Sequence, residues 1–405
     1  MLFFVIEVVI GVIIYIYIGW HLITHTRLNS SCKKILWFLL ILLMIIPSLP
    51  FILHYFRVEA LWMDILAWIG YLSLGFFCIV FMLLVLKEIS YLLAHTAKLF
   101  LLLVQKLFGF DKKTKENSDP DRRQFLTSSI NYAIICTSGT LLGYGIYQAK
   151  RCPTVIETSI PFNDLPRELE SLRIVQISDI HIGDTIKRDF VQKVADRVNS
   201  IEPDIIAFTG DVADGSVSYL RESVSPLSEL SARYGCYFVT GNHDYYSGVE
   251  AWVEEMRRLG FTPLLNEHRV LHHGRARILL AGVTDYSAER FVPSHASNPF
   301  KALADSPKCN LKIILAHQPC SVFGVAQSGF DLQLSGHTHG GQSFPGQFVE
   351  MLQPPHFVAG LYKYRNTQVY VNRGTGYWGP PQRLSVQSEI TLIKLTREER
   401  LKNST

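Results

Sequence analysis

Five short polar motifs, each placed directly after an apolar run, constrain this chain more than any other feature. They read Ser178-Asp179-Ile180-His181, Gly210-Asp211-Val212-Ala213-Asp214, Gly241-Asn242-His243-Asp244, Ala316-His317 and Gly336-His337-Thr338-His339. The apolar runs predict strands at Arg173–Ser178, Asp204–Thr209, Cys236–Thr240, Arg277–Val283, Leu311–Ala316 and Asp331–Leu334. Between them Phe190, Val191, Val194 and Val198, and then Leu220, Val224, Leu227 and Leu230, recur at helical spacing. Ser247 is placed to cap a further helix that carries Trp252, Val253 and Met256 and stops at Gly260. Strands alternating with helices make this region α/β, and in an open α/β sheet polar groups at the carboxyl ends of strands converge. The motifs therefore predict a single site.

The residue types at that site suit cations. Asp179 and His181, two apart just past a strand, can both face one ion. The Asp211 carboxylate has two oxygens and can bridge two cations about 3.5–4 Å apart. Asn242 adds an amide oxygen beside Gly241, which lets the backbone approach closely, and His317, His337 and His339 bring imidazole nitrogens from two later strands. Oxygen and nitrogen ligands without a thiolate disfavour a structural zinc site and suit a catalytic centre of Mn, Fe, Zn or Mg.

In this order, over residues 172–395, the motifs resemble the D-x-H, G-D-x-x-D, G-N-H-D/E, H and G-H-x-H pattern of the calcineurin-like metallophosphoesterases. The resemblance implies a four-layer αββα sandwich and two divalent metal ions. It implies one ion held by Asp179, His181, Asp211 and His339, and a second held by Asp211, Asn242, His317 and His337. A water between two such ions has a lowered pKa and can attack phosphorus in line. His243 is then free to protonate the leaving oxygen, and the matching family position implies that Asp214 orients its ring, with Asp244 supporting a ligand or the loop. Gly215 follows Asp214 where the phosphoprotein phosphatases carry Arg, which favours a phosphodiester or pyrophosphate over a phosphoprotein. The segments Gly340-Gly341-Gln342, Asn372-Arg373-Gly374-Thr375-Gly376 and Gly379-Pro380-Pro381-Gln382-Arg383 look like the membrane-associated bacterial branch of YkuE/YaeI type. Arg373 and Arg383 are candidate grips on phosphate. Phe344, Phe348, Met351, Leu352 and Phe357 form an apolar stretch readable as a lid, an acyl contact or core packing.

The rest of the chain reads as a membrane region. Of 405 residues 48% are hydrophobic, and the excess lies before residue 150. Leu2–Ile23, Ile35–Phe56 and Leu61–Leu86 are each long enough to cross about 30 Å of hydrocarbon as helices. Residues 1–110 are thus expected to hold spans near 2–23, 35–56 and 61–86, with Lys87–Phe110 an interfacial helix or an extension of the third. Glu7 is expected to face another helix or the interface. Residues 111–126, with Lys112, Lys113, Lys115, Arg122 and Arg123, read as a basic cytoplasmic linker. Arg122-Arg123-Gln124-Phe125-Leu126 resembles a twin-arginine export motif, so residues 127–149 are a fourth membrane segment or an export signal, and the twin-arginine export machinery is a candidate partner. Residues 153–405 form the catalytic domain, expected outside the cytoplasm of a bacterial inner membrane. A net charge of +4 gives no reason to expect nucleic acid, and seven Cys without a CxxC pair suggest no thiol chemistry.

These readings combine into a membrane-anchored dimetal phosphoesterase acting on a diester or pyrophosphate, with a lipid headgroup or lipid-linked molecule as a candidate substrate. A UDP-diacylglucosamine pyrophosphatase of lipid A biosynthesis is the second reading, and a cytoplasmic catalytic domain would favour it. A non-catalytic metal-binding membrane sensor is the third. His243 argues against it, because a binding module needs no general acid.

Overall fold

The structure is a computed structural model, and it describes residues 2–397 apart from 25, 27, 57, 109–118 and 344. Arg27, Arg57, Phe344 and most of the expected basic linker, including Lys112, Lys113 and Lys115, lie outside the described residues, as does the side chain of Glu7. The chain divides into two units, Met1–Tyr144 and Gly145–Thr405.

The first unit is helical. Its first apolar segment forms Leu2–Gly19 and a π turn, Trp20–Thr24. The second expected span is broken into Ser30–Ile45 and Ser48–Tyr55. Pro47, which has no N–H to donate and whose ring crowds the preceding turn, sits at the break. The third runs unbroken from Leu61 to Phe108 as 48 residues, about 72 Å at about 1.5 Å per residue, so Lys87–Phe108 extends it. Ile18, Val80, Leu84 and Ile134 form one buried cluster, and Asn131 Nδ2 donates to the His21 carbonyl at 2.9 Å. Among the described residues, Ser30–Pro50, Trp62–Phe108 and Asp121–Lys150 are long and apolar enough to cross a membrane.

Among its described residues the second unit contains twelve strands. These are β1 (Thr154–Phe162), β2 (Arg173–Ile177), β3 (Ile205–Phe208), β4 (Cys236–Phe238), β5 (Phe261–Pro263) and β6 (Glu267–His273). The series continues with β7 (Ala276–Gly282), β8 (Leu311–Leu315), β9 (Leu332–Ser335), β10 (Gly360–Tyr364), β11 (Thr367–Val371) and β12 (Glu389–Arg397). They make two six-stranded sheets, ordered β1-β12-β2-β3-β4-β5 and β10-β11-β9-β8-β7-β6. Strands β2 to β5 are mutually parallel, as are β7, β8, β9 and β11. Buried on both faces, β3 is apolar throughout, Ile-Ile-Ala-Phe, as a central parallel strand must be.

Three apolar clusters account for four layers. Ile174, Ile205 and Ala207 of the first sheet pack with Ile278, Leu280, Ile313 and Leu334 of the second, which fills the space between sheets. On the outer face of the first sheet, Val175, Ile177, Ile206 and Phe208 meet Phe190, Val191, Val194 and Val198 of helix Arg188–Asn199 and Trp252 and Met256 of helix Val249–Arg258. On the outer face of the second, Leu279, Ala281 and Ile314 meet Ala302 and Val325 from two short helices. The result is the αββα sandwich.

Two local expectations need correction. The helix through Leu220 ends at Val224 and continues only as a 3-10 turn, because Pro226 cannot extend it. Ser247 does not cap the next helix: its hydroxyl accepts from Gly215 N at 3.1 Å and donates to the Ala213 carbonyl at 2.9 Å, while Gly248 at φ 98° makes the turn. Trp252 in that helix is fully buried, and its indole N–H donates to the Gly215 carbonyl at 3.0 Å. Trp252→Ala should therefore lower stability by about 3–5 kcal/mol, read from denaturant unfolding of the purified chain; an unchanged midpoint would contradict this packing.

Candidate metal centre

Each polar motif sits on the loop that leaves a parallel strand. Asp179 and His181 follow β2, Asp211 and Asp214 follow β3, and Asn242 and His243 follow β4. From the second sheet, His317 follows β8, and His337 and His339 follow β9. Both sheets therefore turn their carboxyl edges toward one place. The structure brings all seven candidate ligands together there. Asp179, His181 and His339 form one group, and Asp211, His317 and His337 another, with ligand atoms in each within 4.8 Å of one another. A third grouping, His181, Asp211 and His243, shows how closely His243 adjoins the ligands.

The backbone here is strained. Asp179, His181, Asp211, His337 and His339 all have positive φ, between 51° and 74°, a region costly for residues with a Cβ. Glycine neighbours make this possible by close approach. A Cβ on Gly241 would collide with the Asp211 carboxylate, and one on Gly336 would collide with Ser178 Oγ and Asp179 Oδ2.

The donor atoms converge with little separation. His181 Nε2 lies 3.1 Å from His339 Nε2 and 3.6 Å from Asp211 Oδ2, and His339 Nε2 lies 3.6 Å from Asp179 Oδ1. His317 Nε2 is 3.2 Å from both Asp211 Oδ2 and Asn242 Oδ1. Their orientation is set from behind. His317 Nδ1 faces the Thr209 carbonyl at 2.7 Å and His181 Nδ1 faces Asp214 Oδ2 at 3.1 Å, so each ring is held from behind through Nδ1 and turns Nε2 toward the other ligands. Buried imidazole Nε2 atoms aimed at one another with carboxylates between them are a cation's environment. The donor set of carboxylate, amide and imidazole, free of thiolate, fits two divalent ions.

Asp244 is fully buried and supports the loops: its carboxylate accepts from Asp211 N at 3.1 Å, Val212 N at 3.0 Å and Gly241 N at 2.8 Å. Burial, and then Asp211, push its pKa up to about 7. His243 Nδ1 is 2.6 Å from Asp214 Oδ1, so Asp214 holds both His243 and His181. Burial works to deprotonate His243, but the Asp214 and Asp211 carboxylates outweigh it and push its pKa up to about 9. Loss of solvent opposes the charge of Asp214, but His181 and His243 outweigh that and hold its carboxyl below the usual range. Burial lowers the pKa of His337 and, with the neighbouring His181 and Arg383 charges, that of His339, which favours the neutral rings that ligands require.

The two candidate arginines differ in their surroundings. Arg383 is 1% exposed and points inward: Nη1 donates to the His339 carbonyl at 3.0 Å and the Arg373 carbonyl at 2.7 Å, and Nη2 contacts the Gly374 and Gly376 carbonyls and His339 Nδ1. Its Nη atoms hold the loop that carries His339, while its buried Nε has no hydrogen-bond partner among the described residues. Arg373 Nη1 pairs with the buried Glu389 at 2.8 Å and keeps a third of its side chain exposed. Two aromatic side chains complete the site. The Tyr246 and Trp378 rings stand 5.0 and 5.5 Å from the His243 ring, and about half of each residue is exposed. Trp378 had no motif to mark it, since it is brought in by the Gly374–Gly379 loop.

Comparison with known proteins agrees with this geometry. The pattern of the calcineurin-like phosphoesterases matches residues 172–341. A zebrafish (Danio rerio) transmembrane protein with metallophosphoesterase domain is 41% identical over 65% of this chain and 62% of its own length. Its bovine (Bos taurus) namesake is 40% identical over 62% of this chain and 59% of its own length, so the chain spans about three fifths of these relatives. The uncharacterized metallophosphoesterase YkuE of Bacillus subtilis is 31% identical over 68% of this chain and 97% of its own length. If Arg383 positions His339, Arg383→Met should weaken metal affinity by about 10–100-fold and Arg373→Met should not; equal metal retention by both variants in equilibrium dialysis would refute the role.

Proposed function

This chain belongs to the calcineurin-like metallophosphoesterase family, and from that premise we propose a membrane-anchored phosphodiesterase or pyrophosphatase whose substrate is a lipid headgroup or lipid-linked phosphate. It is a metal-dependent phosphoester hydrolase of a family that uses two divalent ions, and it carries helices apolar enough for a membrane. The observation that carries the reading is the convergence of buried Nε2 atoms from His181, His317 and His339 on Asp211 and Asp179. In this reading Asp179, His181, Asp211 and His339 hold one ion, Asp211, Asn242, His317 and His337 hold the other, and residues 153–405 are the catalytic domain.

Two divalent cations held there would supply Lewis acidity toward the phosphoryl group and lower the pKa of a bound water. His243, its Nδ1 proton fixed on Asp214, presents Nε2–H to the leaving oxygen and transfers that proton as the ester bond breaks. Asp214 keeps the ring in place and stabilises its charged form. Gly215 stands where the phosphoprotein phosphatases carry an arginine clamp, which supports a diester or pyrophosphate. Tyr246 and Trp378 border the leaving-group side and offer it apolar contact. The basic residues before the Asp121–Lys150 segment support a catalytic domain on the far side of a bacterial inner membrane, delivered there by the twin-arginine machinery.

The test is turnover with leaving groups of different basicity. His243→Ala should keep both metals by elemental analysis yet lose about 10²–10⁴-fold in kcat on a poor leaving group, with a smaller loss on an activated chromogenic diester. Full activity on both would remove His243 from proton transfer.

A further inference from the structure

An exposed apolar stretch follows the last metal motif. Val349, Met351 and Leu352 are 57%, 51% and 79% exposed, on the short helix Gly346–Glu350 and the turn after it. The stretch is tied at its root to the loop carrying Trp378 and Arg383. Gln347 Nε2 donates to Ser385 Oγ at 3.4 Å, Leu384 N donates to Ser343 Oγ at 3.2 Å, and Gln342 Nε2 donates to the Trp378 carbonyl at 2.8 Å. That loop in turn holds the last turns of the Pro120–Lys150 helix: Arg383 N donates to the Gly145 carbonyl at 3.0 Å, and Gly145 packs against Gln382 and Leu384. Tyr147, on the same last turns, is 66% exposed.

Cations surround the same helix end. Lys150 Nζ donates to the Thr185 carbonyl at 2.8 Å, and Cys152 Sγ lies 3.8 Å from the Lys193 carbonyl. Arg151, Lys193 and Arg197, with the Asp196 carboxylate beside them, are close enough for their charges to act on the Cys152 thiol. Exposed aliphatic side chains, Trp and Tyr at the rim, and cations that complement anionic headgroups are what a bilayer interface selects. The helix that enters here is apolar and long enough to cross that bilayer.

We propose that this face of the second unit rests on the lipid headgroup layer, with Val349, Met351 and Leu352 inserted among the acyl chains and the basic cluster on anionic headgroups. Trp378 then lies between the bilayer and His243, so an ester drawn from the membrane reaches the site without crossing bulk water.

The test reconstitutes the full chain in phosphatidylcholine–phosphatidylglycerol vesicles carrying a diazirine-tagged phosphatidylcholine, followed by illumination and peptide mapping. Lipid adducts are expected on residues 345–357 as well as on the apolar helices. In Met351→Gln/Leu352→Gln, adducts on that peptide should fall to background while hydrolysis of a soluble chromogenic diester is unchanged. Adducts confined to residues 2–108 and 121–144 would overturn the proposal. Turnover of the soluble diester by the same vesicles reports on the phosphoesterase reading separately.

Discussion

The carboxylate of Asp211 is the point on which the second unit depends. It is 2% exposed, its Oδ2 stands 3.6 Å from His181 Nε2 and 3.2 Å from His317 Nε2, and its Oδ1 accepts from His243 N at 2.8 Å. Desolvation opposes its charge, but His317, His243 and His181 outweigh that and hold its carboxyl well below the ordinary range. A buried anion of this kind is tolerable only where positive charge and donors are built around it. The two sheets supply them from opposite sides, so assembling the sandwich and assembling the site are one event.

The geometry is enforced at some conformational cost. Five candidate ligands with positive φ, three backbone N–H groups on Asp244, and Arg383 committed to the His339 loop all restrain atoms that electrostatics alone would let drift. The sheets are linked by buried polar contacts as well as by the apolar core: Gln176 Nε2 of β2 donates to the Ser335 carbonyl of β9 at 2.8 Å, and Tyr370 of β11 donates to Glu389 of β12 at 2.5 Å. Such contacts fix the register of one sheet on the other, which sets the distance between the His181 and His317 halves of the site.

The α/β character and the candidate site were legible because parallel strands buried on both faces write continuous apolar runs, and because ligands must follow such strands directly. Strands with mixed patterns were not. β1 pairs in parallel with β12 across more than 200 residues, an order that local pattern does not encode, and β10 alternates exposed and half-buried residues at a sheet edge. The surroundings of Arg383 were not legible either: an arginine beside glycines in a loop reads as a phosphate grip, and only the folded loop shows the contacts of its Nη atoms with His339, Arg373, Gly374 and Gly376. Ser247 had the residue type of a cap, but the Gly215 loop claimed its hydroxyl first.

The helix that begins at Pro120 runs through the boundary between the two units, between Tyr144 and Gly145. In the proposed site the Asp211 carboxylate would be shared by two cations. The most direct measurement is the metal-to-protein ratio of the purified full chain, determined by elemental mass spectrometry for the wild type and for Asp211→Asn. Two ions per wild-type chain, with neither retained at stoichiometry in the variant, is the predicted result. Two ions retained without the Asp211 carboxylate would contradict the account.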